Sequence, residues 1–289
     1  MIRILAIFFL VCCISCTKDP ATFNLVNLNN NQISCFGHAG MGSRSIYPQN
    51  TMPSFESCLD RGADGTEMDV QITKDSVLVL YHDEFLDSGA SCNGTIKDLN
   101  WSEISDCKMR SNLFKNLELL SFDEFIKNIP DPHRYIFTFD CKTKQEEDDG
   151  GVYYRLFART IVRTLHQYNL TQHVYIEHPY ETFLNNIREL ENNARLFILT
   201  DEFEAGFGSC KTQNYYGISI HNAKITASQV KQAHDSNIHV TIYGVQTEKE
   251  NYSAVEKCPD FMQTDDINYL LKIFGKYKKG KGLWYSVTK

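Results

Sequence analysis

The chain has 289 residues, of which 42% are hydrophobic and 12% aromatic, so it can bury the core of one large domain. Its formal net charge of −7 removes the general electrostatic attraction to nucleic acid. We therefore expect no nucleic-acid partner, and nothing in the composition points to a protein partner.

The N-terminus has the pattern of an export signal. The apolar run over 4–11 is too short to span a bilayer but long enough for the core of a signal peptide. A small residue before Cys16 resembles a bacterial lipoprotein cleavage site, although Cys13 stands where an aliphatic residue is usual. We predict a signal peptide over 1–16, lipidation of Cys16, a tether over 17–32 and an exported, membrane-anchored protein in the periplasm or at the cell surface. An ordinary secretory signal is the alternative.

Cysteine spacing gives one disulfide prediction. Seven cysteines follow Cys16, and their spacing fits no zinc site. Export permits disulfides, and Cys92 and Cys107 bracket one loop-like segment, so we predict a bond between them. For the other five, buried free thiols are an equally good interpretation.

Strand-like and helix-like segments alternate along most of the chain, as judged from hydrophobic spacing. The predicted strands are 33–37, 65–73, 77–82, 135–140, 173–177, 196–200, 217–220, 240–245 and 261–264. The predicted helices are 51–61, 121–129, 153–168, 180–192, 226–237, 252–257 and 267–274.

About eight strands separated by helices favour a parallel sheet closed into a (β/α)8 TIM barrel. We place this single α/β domain over 33–274, followed by a basic C-terminal tail over 275–289. The polar segment 88–112 is predicted to be an insertion after the third strand that passes over the mouth of the barrel.

Titratable residues lie at the ends of the first four predicted strands: His38, Glu67, Asp69, His82 and Asp140. The carboxyl ends of barrel strands meet at one face, so we expect these side chains to converge. Glu67 and Asp69 are two residues apart on one strand and point to the same side. With Asp140 they offer three oxygen ligands to one divalent cation, while the two histidines offer an acid and a base.

The order of these residues carries a resemblance. The motifs are Gly37-His38-Ala39-Gly40, Gln49-Asn50-Thr51, the run 62–75 with its Glu-x-Asp-Val, and Leu80-Tyr81-His82-Asp83. This order resembles the glycerophosphodiester phosphodiesterase family of barrel enzymes, over about 33–271. The resemblance implies hydrolysis of small-molecule glycerophosphodiesters to glycerol 3-phosphate and an alcohol, with Ca²⁺ or Mg²⁺ as the cofactor.

Carried over residue by residue, the resemblance assigns roles to the site. It implies His38 and His82 as the acid/base pair, Glu67, Asp69 and Asp140 as metal ligands, and Lys142 as a phosphate contact. We also predict that Glu177 and Tyr243, at later strand ends, line the substrate pocket. Whether the nucleophile is water or the glycerol 2-hydroxyl, and which histidine is the base, stay open.

Three positions depart from the family pattern. Ala39 replaces the usual Arg, Gln49 replaces a Glu, and Asp140 is shorter than the usual Glu. The loss of Arg and Glu together suggests a paired exchange of a phosphate-binding cation and its anionic partner. Arg44, in the neighbouring loop, is the candidate replacement; an exposed loop charge is the alternative.

Two other functions remain open from the sequence. A phospholipase D-like enzyme acting on intact or lyso-phospholipids would expose aromatic residues in 88–112, where Trp101 instead belongs to a segment resembling the family. A non-catalytic lipoprotein that binds phosphodiesters would explain the missing Arg. However, both histidines and all three acids are retained.

Overall fold

A computed structural model describes residues 27–28, 33–143 and 151–280. The predicted signal peptide, the lipidation site Cys16, most of the tether and the tail from 281 onward lie outside the described residues. Within the described ranges, no helix combines the length and the apolar character needed to cross a membrane.

One sheet contains all the named strands, and eight of them close into a parallel barrel. In chain order the strands are β1 (Ser34–Gly37), β2 (Gly65–Ile72), β3 (Leu78–Leu80), β4 (Leu120–Ser121), β5 (Ile136–Cys141), β6 (Val174–His178), β7 (Arg195–Thr200), β8 (Gly217–His221), β9 (His239–Val245) and β10 (Phe261–Thr264). The barrel consists of β1, β2 and β5 to β10, and β1 closes it by pairing in parallel with both β2 and β10. The predicted (β/α)8 barrel is confirmed.

The predicted third strand, 77–82, is wrong as a barrel strand. Instead, β3 runs antiparallel to the end of β2, with Leu80 opposite Val70, and β4 pairs antiparallel with β3. A short apolar run has the same pattern whether it is buried inside a parallel sheet or under a local excursion. The third barrel strand is therefore β5, and the excursion carrying β3 and β4 leaves the barrel from β2.

The helices lie outside the barrel strands, and the two short ones between β3 and β4 belong to the excursion rather than to the barrel wall. In chain order the helices are α1 (Met52–Asp60), α2 (Leu86–Gly89), α3 (Trp101–Ile104), α4 (Phe122–Asn128), α5 (Val152–Gln167), α6 (Glu181–Leu190), α7 (Phe203–Gln213), α8 (Ala227–Asp235), α9 (Glu248–Val255) and α10 (Ile267–Ile273). Several begin where the sequence supplies reciprocal caps. At the start of α4, for example, the Ser121 hydroxyl accepts from Glu124 N while the Glu124 carboxylate accepts from Ser121 N.

Aromatic rings fill the lower, amino-terminal end of the barrel. Phe36, Tyr175, Phe197 and Phe261 form one buried cluster. Gly217 makes room for it, since a Cβ at this position would lie 2.3 Å from a ring carbon of Phe197. The polar residues that follow along the same strands therefore face the upper end, where the strands terminate.

The excursion between β3 and β4 has a small core of its own. Buried Val79, Leu86 and Ile96 belong to this second cluster, and the predicted disulfide between Cys92 and Cys107 is present. Despite its polar composition, the segment 88–112 is therefore part of a folded platform, by which we mean the excursion between β3 and β4 with its own core. The remaining described cysteines are free, and all but one of them are buried.

On the lower face, Asp260 binds the chain segment that precedes β1. Its Oδ1 accepts from Leu28 N at 2.6 Å and lies 3.0 Å from Nδ1 of His239. Its Oδ2 accepts from Val240 N at 2.8 Å and lies 2.7 Å from Nε2 of His234. Burial raises the pKa of this carboxyl, but the hydrogen bonds outweigh burial and bring the pKa to about 2. Leu28, inside the predicted tether, is thus bound to the barrel.

Candidate active site

Three carboxylates meet at the upper end of β2 and β5. Glu67 and Asp69 occupy alternate positions of β2, and Asp140 lies opposite Asp69 in the β2–β5 pairing. One oxygen from each lies within 4.8 Å of the others. Glu67 and Asp69 are buried and Asp140 is partly exposed, so the cluster opens toward solvent on the β5 side. The structure thus brings together the three residues predicted as metal ligands.

Asn50 and Lys142 hold Asp69 in place. The Asn50 amide donates to Asp69 Oδ2 at 2.6 Å and its oxygen accepts from Asp69 N at 3.1 Å. Lys142 Nζ lies 2.8 Å from Asp69 Oδ1 and 2.6 Å from Asp140 Oδ2. Burial raises the pKa of Asp69, but the charge of Lys142 and of both predicted histidines holds it below its ordinary value. Asp69 is therefore the carboxylate most firmly kept ionised.

Glu67 gives the strongest indication that the three acids fit a cation. Its Oε2 accepts from Ala39 N at 2.7 Å, whereas its Oε1 is buried without a hydrogen-bond partner. Burial and the charge of Asp69 raise the pKa of Glu67 well above its ordinary value. An unpartnered buried carboxylate oxygen is costly, and a hard cation with oxygen ligands would satisfy it. The three acids therefore fit one divalent cation.

His38 is fixed by an acid that the sequence did not single out for the site. Its Nδ1 lies 2.9 Å from Asp265 Oδ1, which also accepts from Ser43 N at 2.7 Å. Its Nε2 lies 3.8 Å from Glu67 Oε2. Partial burial opposes charge on the ring, but the Asp265 hydrogen bond and the nearby acids raise its pKa to about 10. The sequence signals for Asp265 are its position directly after a strand and its place in the run Gln263-Thr264-Asp265-Asp266, which resembles a weaker landmark of the family.

His82, the second predicted acid/base histidine, lies in the segment that follows β3. Its side chain is 63% exposed, and its Nδ1 lies 2.9 Å from Asp83 Oδ1. With Asp140 and Lys142 it lines a cleft of about 270 Å³. The charge of His82 lowers the pKa of Asp69, and the charge of His38 has the same effect. Both imidazoles therefore influence the acid cluster electrostatically.

Glu177 and Tyr243 lie near the cluster on later strands. Glu177 is paired in register with Asp140, is 2% exposed, and accepts from Gln263 Nε2 at 2.9 Å. Burial and the charge of Asp140 raise its pKa to about 7. The half-buried Tyr243 packs edge-on against His221, with 5.5 Å between the ring centroids. Burial and nearby acids raise the pKa of Tyr243 to about 12.

The position of the missing family arginine is buried. Ala39 is fully buried with a φ of 47°, and its N–H is bound to Glu67. Arg44 is exposed, and among the described residues no hydrogen bond or ion pair joins it to the three acids. Lys142 is the basic side chain found in contact with them. The role of Arg44 stays a prediction.

A family model and several curated proteins match this chain. The model of the glycerophosphoryl diester phosphodiesterase family matches residues 38–269. A glycerophosphodiester phosphodiesterase of Caldanaerobacter subterraneus is 26% identical over 173 residues, which cover 56% of this chain and 65% of that protein. The chain thus spans less than two thirds of the length of the curated relatives it matches first.

Solved structures share the fold at low sequence identity. A glycerophosphodiester phosphodiesterase from Parabacteroides distasonis has a TM-score of 0.72 and 20% identity, over 83% of this chain and 95% of that one. A phosphodiesterase from Oleispira antarctica, solved in complex with the product sn-glycerol-3-phosphate, has a TM-score of 0.70 and 17% identity, over 83% and 95%. At these identities the likeness shows the barrel fold.

Proposed function

The chain belongs to the glycerophosphoryl diester phosphodiesterase family, and from this premise we propose that it hydrolyses small-molecule glycerophosphodiesters to glycerol 3-phosphate and an alcohol. The observation that carries the proposal is the meeting of Glu67, Asp69 and Asp140 beside His38. The Oleispira relative, with its glycerol phosphate product, supports the same substrate class.

One divalent cation, Ca²⁺ or Mg²⁺, completes the proposed site. Glu67, Asp69 and Asp140 would hold it, and the unpartnered Oε1 of Glu67 supports this assignment. When bound, the cation offsets negative charge on the phosphoryl oxygens. Lys142, which lies between two of the acids, adds a second positive charge and contacts a phosphate oxygen.

His38 and His82 form the proposed acid/base pair. In each ring, Nδ1 is engaged by a carboxylate, from Asp265 for His38 and from Asp83 for His82, so Nε2 is the atom that exchanges a proton. One imidazole takes the proton of the attacking hydroxyl, which belongs to water or to the glycerol 2-position. The other gives a proton to the leaving alkoxide.

Substrate contacts and location complete the proposal. Glu177 and Tyr243 line the substrate pocket, and Arg44 contacts the phosphate in place of the usual Arg. Lipidated Cys16 anchors the exported protein to the membrane. Mass spectrometry of the mature N-terminal peptide tests this anchor: a diacylglyceryl cysteine supports it, and an unmodified N-terminus at another residue contradicts it.

Product analysis tests the activity. Glycerophosphocholine, glycerophosphoethanolamine and lysophosphatidylcholine are incubated with the wild type and with His38→Asn and His82→Asn, and glycerol 3-phosphate and free alcohol are quantified. We expect glycerol 3-phosphate from the first two substrates and a loss of about 100-fold or more in each variant. The exposed His166, which pairs with Glu191, provides the control His166→Asn.

Two outcomes would favour the other functions. Choline release from lysophosphatidylcholine, without hydrolysis of the glycerophosphodiesters, would indicate the phospholipase D-like enzyme. Binding of a divalent cation and of a glycerophosphodiester without turnover would indicate the binding protein.

A further inference from the structure

One buried amide holds the backbone on both sides of His82. Gln71 is 8% exposed, and its Nε2 donates to the carbonyl oxygens of Tyr81 at 2.8 Å and Asp83 at 2.9 Å. An amide nitrogen has two hydrogens to donate, so both are used here. The two carbonyls belong to the residues directly before and after His82, and a single side chain therefore fixes the segment that carries the imidazole.

Gln71 belongs to the same row of side chains as two of the acids. Glu67, Asp69 and Gln71 follow one another at every second position of β2, so their side chains share one face of the strand. At its end, β2 pairs with β3, where Val79 lies opposite Gln71. One face of one strand thus presents two carboxylates and also sets where His82 lies relative to them.

The regular pairing of β3 does not itself reach His82. The last backbone bond on this side is from Tyr81 N to Asp69 O, at 3.0 Å. Beyond it, the side chain of His82 is 63% exposed, and its ring is bound to Asp83, whose side chain is 43% exposed. An exposed imidazole samples many positions unless its backbone is fixed. The Gln71 amide supplies that restraint, and it is itself buried from solvent.

We propose that Gln71 is a positioning residue that keeps His82 aligned with the reacting phosphodiester. The inference rests on the proposed function, in which His82 exchanges a proton with the substrate. Gln71→Met keeps the length of the side chain and removes both donors. Because a displacement of about 1 Å costs about 100-fold in rate, we expect kcat to fall by about that factor while KM changes little.

The double variant decides whether Gln71 acts through His82. If it does, Gln71→Met lowers kcat in the wild type but lowers it no further in the His82→Asn background. A merely structural role would lower kcat by the same factor in both backgrounds, and this result would overturn the inference. Gln213→Met is the matched control, since its amide also donates through Nε2, to Glu181 at 3.1 Å; its kcat should equal that of the wild type.

Two further measurements keep the inference separate from folding and from the proposed function. Gln71→Glu keeps the shape of the side chain but places a carboxylate oxygen against both carbonyl oxygens. We expect it to lower kcat in the wild-type background and to leave kcat unchanged in the His82→Asn background. If the wild type hydrolyses no glycerophosphodiester, the proposed function fails. Amide hydrogen exchange over 82–84 then judges the restraint: faster exchange in Gln71→Met than in the control supports it, and unchanged exchange overturns it.

Discussion

Replacing Asn50 by aspartate turns the donor that faces Asp69 into a second acceptor. The Asn50 amide lies 2.6 Å from Asp69 Oδ2, and both residues are buried. Losing a hydrogen bond to a charged group costs about 2 kcal/mol. Repulsion between the carboxylates adds to this, but the added cost is limited because the new carboxyl can take up a proton. Protonating a carboxyl at pH 7 costs about 4 kcal/mol, and this cost sets the upper limit of the loss. The lost hydrogen bond sets the lower limit, so we expect the free energy of unfolding to fall by about 2 to about 4 kcal/mol.

Urea unfolding of the cation-free protein, followed by circular dichroism, measures this change. Asn50→Gly is the matched control, because Asn50 has a φ of 57° that glycine adopts without strain. The glycine variant loses the hydrogen bonds without gaining a charge, so it should be more stable than Asn50→Asp. It should also bind Ca²⁺ about 10- to 100-fold more weakly than the wild type, because Asp69 loses its orientation. Wild-type stability in Asn50→Asp, or wild-type Ca²⁺ affinity in Asn50→Gly, would refute the reasoning.

Two further predictions concern the barrel itself. The folded pKa of Asp260 is about 2, against an ordinary 3.8, so its charge stabilises the protein above pH 4 by about 2 kcal/mol, which is lost as the pH falls through 2. The stability difference between the wild type and Asp260→Asn, from urea unfolding, should therefore shrink by about 1 kcal/mol between pH 6 and pH 3; a constant difference would contradict this. A Cβ at Gly217 would lie 2.3 Å from Phe197 and 2.6 Å from the carbonyl of His239, so Gly217→Ala should cost about 3 kcal/mol. Gly208→Ala, on α7 with open space around it, should stabilise by up to about 1 kcal/mol, and equal melting temperatures for the two variants would refute the packing argument.

The acid cluster could be predicted because its geometry depends on local rules. Glu67 and Asp69 are two residues apart on one strand, which sets them on one face regardless of the rest of the fold. Asp140 ends another strand, and closure of the parallel barrel brings strand ends together. These two rules are enough to place three acids in one mouth.

The supports of the two histidines could not be predicted, because they depend on long-range or irregular contacts. Asp265 is 227 residues away from His38 along the chain, and its spacing to the histidine has no pattern. Gln71 reaches the backbone around His82 only because β3 turns back antiparallel along β2. An apolar run such as 77–82 does not distinguish this hairpin from a parallel barrel strand.

The folded platform between β3 and β4 escaped prediction for a related reason. Its buried residues Val79, Leu86 and Ile96 are spaced irregularly, without the period of a helix or a strand. The bond between Cys92 and Cys107 could be predicted, because it joins two residues close together in the chain. Packing that is not periodic leaves no comparable trace in the sequence.

The most direct test of the central claim is whether glycerophosphodiester hydrolysis requires a cation held by the three acids. Glycerol 3-phosphate release from glycerophosphocholine is measured before chelation, after chelation, and during titration with Ca²⁺ or Mg²⁺, for the wild type and for Glu67→Gln. We predict that chelation abolishes release and that the cation restores it in the wild type. Glu67→Gln should need a higher cation concentration to recover. Undiminished release after complete removal of the cation would contradict the account.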